Sequence, residues 1–162
     1  MSRRWVADAS PIILLAKAGR PGLLSAPAQD LLVPKVVAEE IRQGPPEDPA
    51  REWLEEVGER FVEATNPVEP EIAAWDLGQG ESRVLSSACR REGWTAVVDD
   101  GAARRCAQGL GVPTVGTLGV LVVAKKEGRL DKVEPAIEQL RRAGLHVGDA
   151  VVEQILRMAG ES

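Results

Sequence analysis

Short apolar runs alternate along this chain with longer segments whose apolar residues recur every three or four positions, and that alternation sets the fold class. Trp5 to Ala7 reads as a first strand ending at Asp8, followed by a helix with Ser10 as N-cap and Pro11 at its first position, stopped by Gly19. Leu31 to Val33 reads as a second strand, and Pro34 opens a helix over 35–43 that Gly44-Pro45-Pro46 closes. A helix over 47–57, a weak third strand over 60–64 and a loop over 66–70 follow. A short helix over 71–75 then precedes the strongly patterned helix 81–92. Thr95 to Val98 is a fourth strand ending in Asp99-Asp100-Gly101. The helix 102–110, capped by Gly111, leads to a fifth strand over 112–115. Helices over 118–127, 133–143 and 149–159 complete the chain. Strands alternating with helices predict an α/β fold, a mostly parallel sheet with helices on both faces. The 162 residues fit one domain, with 133–162 as a helical C-terminal extension.

The acids fall at informative places in this pattern. Asp8 ends the first strand, and Asp99 and Asp100 end the fourth. Ligands of open α/β sheets sit at the carboxyl ends of the strands, so these acids meet if strands 1 and 4 are neighbours. An acid there also serves as a helix N-cap, and the Asp99–Asp100 pair can do both jobs, one capping and one pointing into the crevice. Glu81 lies in line with Val84, Leu85, Ala88 and Cys89, which places a carboxylate on the inward face of its helix, at the first turn. The helix macrodipole explains an acid at that end but not its inward aspect, and a buried charge needs a compensating partner or metal. On the helix 35–43, Glu39 has Lys35 and Arg42 at ion-pair spacing and reads as solvated, whereas Glu40 borders the apolar face through Val36 and Val37. An all-oxygen set of this kind suits Mg²⁺ or Mn²⁺ completed by waters and phosphate oxygens.

Charge and composition narrow the field. Net charge is −5, against a generic nucleic-acid binder, and an acidic cluster needs a metal before it can hold a polyanion. With one Phe and no Tyr, rows of stacking aromatics are not expected, and the four Trp read as core or dimer contacts. No apolar run approaches the roughly 20 residues of a membrane span. Cys89 and Cys106 read as reduced, buried thiols of a cytoplasmic protein, and one histidine without a CxxC gives no zinc site. His146 reads as a surface or cap residue in an interhelical loop, and Arg104 and Arg105 as phosphate contacts or a solvated face. A response-regulator receiver would place paired acids on the first strand, and a haloacid-dehalogenase phosphatase a second Asp where Ser10 stands. Neither pattern is present.

In order along the chain, Val6-Ala7-Asp8-Ala9-Ser10-Pro11, Val33 to Ile41 with Glu40, Leu77-Gly78-Gln79-Gly80-Glu81 and Val97-Val98-Asp99-Asp100 resemble the four acidic motifs of the PIN domain, the fold of VapC-type toxin ribonucleases. The resemblance covers about residues 4–125. Gly116-Thr117-Leu118-Gly119-Val120-Leu121 and the helical tail are similar to a subgroup of PIN-like proteins known mainly from genome sequences. The resemblance implies a three-layer α/β/α sandwich with a parallel five-stranded sheet in the order 3-2-1-4-5. It implies an endoribonuclease acting through Mg²⁺ or Mn²⁺ on single-stranded or structured RNA. The implied site is Asp8, Glu40, Glu81 and Asp100, with Asp99 as helper. For a toxin of this type it also implies an antitoxin covering the acidic groove, and a homodimer. One departure is Val98, where the family often has Thr or Ser two residues before its last acid. The alternative is a non-catalytic PIN-like module that binds nucleic acid or protein.

Overall fold

The computed structural model describes residues 3–26, 29–64 and 67–161. Five strands, β1 (Arg3–Ala7), β2 (Gln29–Pro34), β3 (Val62–Glu63), β4 (Thr95–Val97) and β5 (Thr114–Val115), form one parallel sheet in the order β3-β2-β1-β4-β5. Helices flank it: α1 (Ala9–Lys17), α2 (Lys35–Arg42), α3 (Pro49–Glu56), α4 (Pro70–Ala73), α5 (Gln79–Cys89), α6 (Gly101–Leu110), α7 (Thr117–Lys126), α8 (Val133–Arg142) and α9 (Asp149–Met158). The α/β/α architecture and strand order expected from the sequence are those observed. β1 is the central strand because Trp5, Val6 and Ala7 are all buried, as a strand covered on both faces requires. No helix of the described residues is long and apolar enough to cross a membrane.

The register positions the site. Ala7 pairs with Val97, and the next residue, Asp8, donates its N–H to the Val97 carbonyl at 3.1 Å. Val98 continues the ladder by donating to Val115 at 3.0 Å. The carboxyl ends of β1, β4 and β5 therefore lie side by side, and Asp8, Asp99 and the Gly116-Thr117 turn emerge at one edge.

Several local expectations are corrected. Ser10 is not the N-cap of α1: Asp8 occupies that position in extended conformation, and Pro11 sits inside the first turn, where its missing N–H removes no helical bond. The third strand keeps only Val62 and Glu63, because Gly58 to Phe61 form a 3₁₀ turn with Gly58 pressed against Trp53. Cys106 is buried but Cys89 is exposed. The covered face of α5 is broader than the apolar stripe and includes Ser82, Ser86 and Ser87, leaving the last residue of the helix outside. Two of those serines are satisfied by neighbours: Ser86 Oγ accepts the Glu69 N–H at 3.0 Å, and Ser87 Oγ donates to Glu63 at 2.9 Å. Of the four tryptophans, Trp5 and Trp53 are core residues and Trp94 is half-buried beneath Arg91, while Trp75 is exposed.

Candidate functional site

Asp8 is the deepest acid of the group, with 6% of its surface exposed. Burial pushes its carboxyl up to about 7, and repulsion from Glu81, Glu40 and Asp99 adds to this, against a hydrogen bond from the Ala9 backbone. The site thus couples acids from four elements. Gly80, on the first turn of α5, explains how closely they meet. A Cβ there would lie 3.0 Å from Asp8 Oδ1 and 3.6 Å from Glu40 Oε1. The glycine opens a small cradle that two carboxylates face. Glu40 enters it from α2 while remaining exposed, and Glu39 is exposed as the sequence suggested. Glu81 lies half-buried on α5. Burial raises its carboxyl above the usual range, Asp100 and Glu40 push it further, and a Gly78 backbone hydrogen bond opposes them.

The paired acids of β4 divide differently from the sequence expectation of one cap and one free acid. Both accept helix N-terminal hydrogens. Asp100 caps α6 by accepting the Ala103 N–H at 2.9 Å. Asp99 accepts the Thr117 N–H at 2.8 Å and the Thr117 hydroxyl at 2.6 Å, at the start of α7. Asp99 nevertheless acts electrostatically on Asp8, and Asp100 on Glu81, so each acid of the pair belongs to one side of the cluster. Thr117 is fully buried and was not singled out from the sequence. Val98, where a hydroxyl was expected, is buried and apolar, and the hydroxyl at this end of the sheet comes from Thr117 instead. Gly116-Thr117 at the mouth of a helix beside an acidic pair was the signal that could have found it.

The acidic edge opens into a depression of about 360 Å³ lined in part by Ser10, Glu40, Asp99 and His146. Ser10 is exposed and lines the depression, in the first turn of α1 and not at its cap.

A family model described as a PIN domain matches residues 4–161. The chain belongs to the PIN-domain family. No functionally curated protein matches it in sequence. PIN domains are in general nucleases that use divalent metal ions, and nucleic acid is the class of ligand their fold serves. In this PIN domain the carboxylates of Asp8, Glu40, Glu81, Asp99 and Asp100 offer only oxygen, which suits such ions. Among the described residues, no group of three or more His, Cys, Asp or Glu side chains stands arranged around one point as a metal-holding set. The cradle beside Gly80 still fits a small cation, since it has two carboxylate oxygens facing it and two further acids within electrostatic reach.

Proposed function

We propose that this PIN domain is a metal-dependent endoribonuclease whose site is Asp8, Glu40, Glu81, Asp99 and Asp100. The observation that carries the reading is Asp8: a buried carboxyl with three acidic neighbours, pushed up to about 7, beside a cradle that only a glycine leaves open. Such an arrangement costs stability in the metal-free protein and is relieved by a cation. Asp8, Glu40 and Asp99 would hold Mg²⁺ or Mn²⁺ from one side, with Glu81 and Asp100 on the other. When bound, the cation supplies Lewis acidity to a phosphodiester and neutralises charge gathering on its oxygens. Glu81, half-buried at the first turn of α5, would accept the proton of the attacking water. Thr117 holds Asp99 by two hydrogen bonds and fixes its orientation at the site.

The same reading extends to an antitoxin segment covering the acidic groove, to a homodimer and to a cytoplasmic setting; these rest on the resemblance to VapC-type toxins. A second reading, a non-catalytic nucleic-acid- or protein-binding module, is favoured by one observation. Both Asp99 and Asp100 are engaged as helix caps, as they would be in a purely structural role.

Incubating the protein with a mixed-sequence single-stranded RNA, in Mg²⁺, in Mn²⁺ and in chelator, tests the nuclease reading. Cleavage that depends on metal and disappears in folded Asp8→Asn and Glu81→Gln variants is expected. Failure of the protein to bind either metal by calorimetry would leave the non-catalytic module.

A further inference from the structure

Beside the acidic cluster runs a second, larger groove of about 540 Å³, between α9 and the turn from β5 into α7. We propose that this groove seats one nucleotide of a single-stranded nucleic acid, next to the phosphate on which the carboxylates act; the proposal rests on the nuclease reading above. Its size falls within the roughly 300–1,000 Å³ of pockets that hold small organic ligands. Asp99 forms one end of it and also lines the depression that contains Glu40, while Leu145 and His146 border both cavities. The groove therefore shares a wall with the acidic depression.

Its chemistry is divided as a nucleotide is divided. At the Asp99 end stand two donors, the Arg104 guanidinium and the His146 imidazole. A Cβ on Gly116 would lie 2.8 Å from Arg104 Nη1 and 2.9 Å from Asp99 Oδ1, so this glycine is what lets the guanidinium lie close over the turn beside the acid. Both donor residues are exposed, and among the described residues no hydrogen bond or ion pair engages either side chain. A guanidinium binds phosphate oxygens through a planar fork, and a neutral imidazole still offers one N–H. The rest of the lining is mostly apolar, with Leu118, Val151, Ile155 and Met158 beside the polar Thr114 and Gln154. No residue of α9 is buried, yet the helix presents Val151 and Met158 to solvent, two of the three large exposed hydrophobics described. An apolar floor ending in phosphate-binding donors, beside acids that need a metal, fits an unstacked base with its phosphate. A duplex keeps its bases stacked and cannot lay one on such a floor.

The test is the affinity of the full chain for a short fluorescein-labelled single-stranded RNA, measured by anisotropy with Ca²⁺ present, with cleavage in Mg²⁺ or Mn²⁺ followed on the same samples. Arg104→Ala and Met158→Glu, both at exposed positions, are each expected to weaken binding roughly tenfold to a hundredfold. Arg104→Lys is expected to recover part of the loss, and Lys132→Ala, outside the groove, to bind as the parent does. A blunt RNA duplex should compete poorly. Parental affinity in both groove variants, equal affinity for the duplex, or no RNA binding by the parent chain would each overturn the proposal. A loss in Met158→Glu with none in Arg104→Ala would mark an apolar occupant instead, and would overturn it too. The cleavage arm separates the two readings. A chain that cuts with KM unchanged in both variants keeps the nuclease and loses the groove, whereas one that binds through the groove without cutting does the reverse.

Discussion

Two carboxylates, Asp8 and Glu161, are mostly covered by protein and are treated in opposite ways. Burial acts against the charge of Glu161 as well, but that side chain receives hydrogen bonds from Lys125 at 2.8 Å and from the backbone N–H groups of Val133 and Glu134. Its carboxyl ends below the usual range, and it fastens the C-terminal end of the chain to α7 and to the start of α8. Asp8 receives one backbone hydrogen bond and three acidic neighbours, and rises to about 7. A carboxylate that serves the fold is surrounded by donors. One left short of them costs the folded chain stability, a cost that a bound cation would relieve.

The sharpest way to break this contrast is to neutralise Asp8. Asp8→Asn should stabilise the metal-free protein at pH 8 by about 2–4 kcal/mol in denaturant titrations, an order of magnitude set by the rise of its carboxyl from 3.8 to about 7. The folded chain holds the Asp8 proton more tightly than the unfolded chain does, so nothing is lost below the ordinary value near 3.8. Stability then falls as pH rises, and the full penalty applies above about 7. Glu81, also raised, acts in the same direction. The metal-free parent should accordingly grow more stable from pH 8 to pH 5 in thermal melts, and the advantage of Asp8→Asn should shrink over the same interval. Glu161→Gln should do the opposite and destabilise by about 2–3 kcal/mol, since it removes charge-assisted bonds from one side chain. A stabilising Glu161→Gln or a destabilising Asp8→Asn at pH 8 would reverse the contrast.

Smaller effects sharpen it. Gly80→Ala places a methyl group 3.0 Å from Asp8 Oδ1 and should weaken divalent-metal binding about 10–100-fold by calorimetry. Its effect on folding should stay within about 1 kcal/mol, because the gain in helix propensity offsets the crowding. Thr117→Val removes the hydroxyl that Asp99 accepts and should cost about 1 kcal/mol in denaturant melts, with a modest loss of metal affinity.

Much of this was legible in the sequence, because it depends on local rules. The parallel sheet followed from alternating elements, the strand order from the family resemblance alone, and Asp8 was placed at the end of β1 by the short run before it. Inward-facing Glu81 was readable from helical periodicity, although the same stripe wrongly buried Cys89 because it ignored the serines that α5 hides through partners on other elements. What was not legible depends on contacts between distant segments. Asp99 became a cap of α7 through Thr117, eighteen residues on. His146 lies far from Asp8 in the chain and reaches the depression only because the loop between α8 and α9 folds back to the sheet edge. The role of Gly80 appears only when Glu40 and Asp8 are seen facing it. Composition pointed away from nucleic acid because net charge averages over the surface, and Arg104 beside Asp99 is a local exception to that average.

If the acid cluster around Asp8 is a divalent-metal site, calorimetric titration with Mn²⁺ between pH 6 and pH 8 will reveal it. Binding is expected to strengthen with pH by up to about tenfold per unit below pH 7, to release protons, and to be lost in Asp8→Asn. Absence of binding across that range, or equal binding in Asp8→Asn, would contradict it.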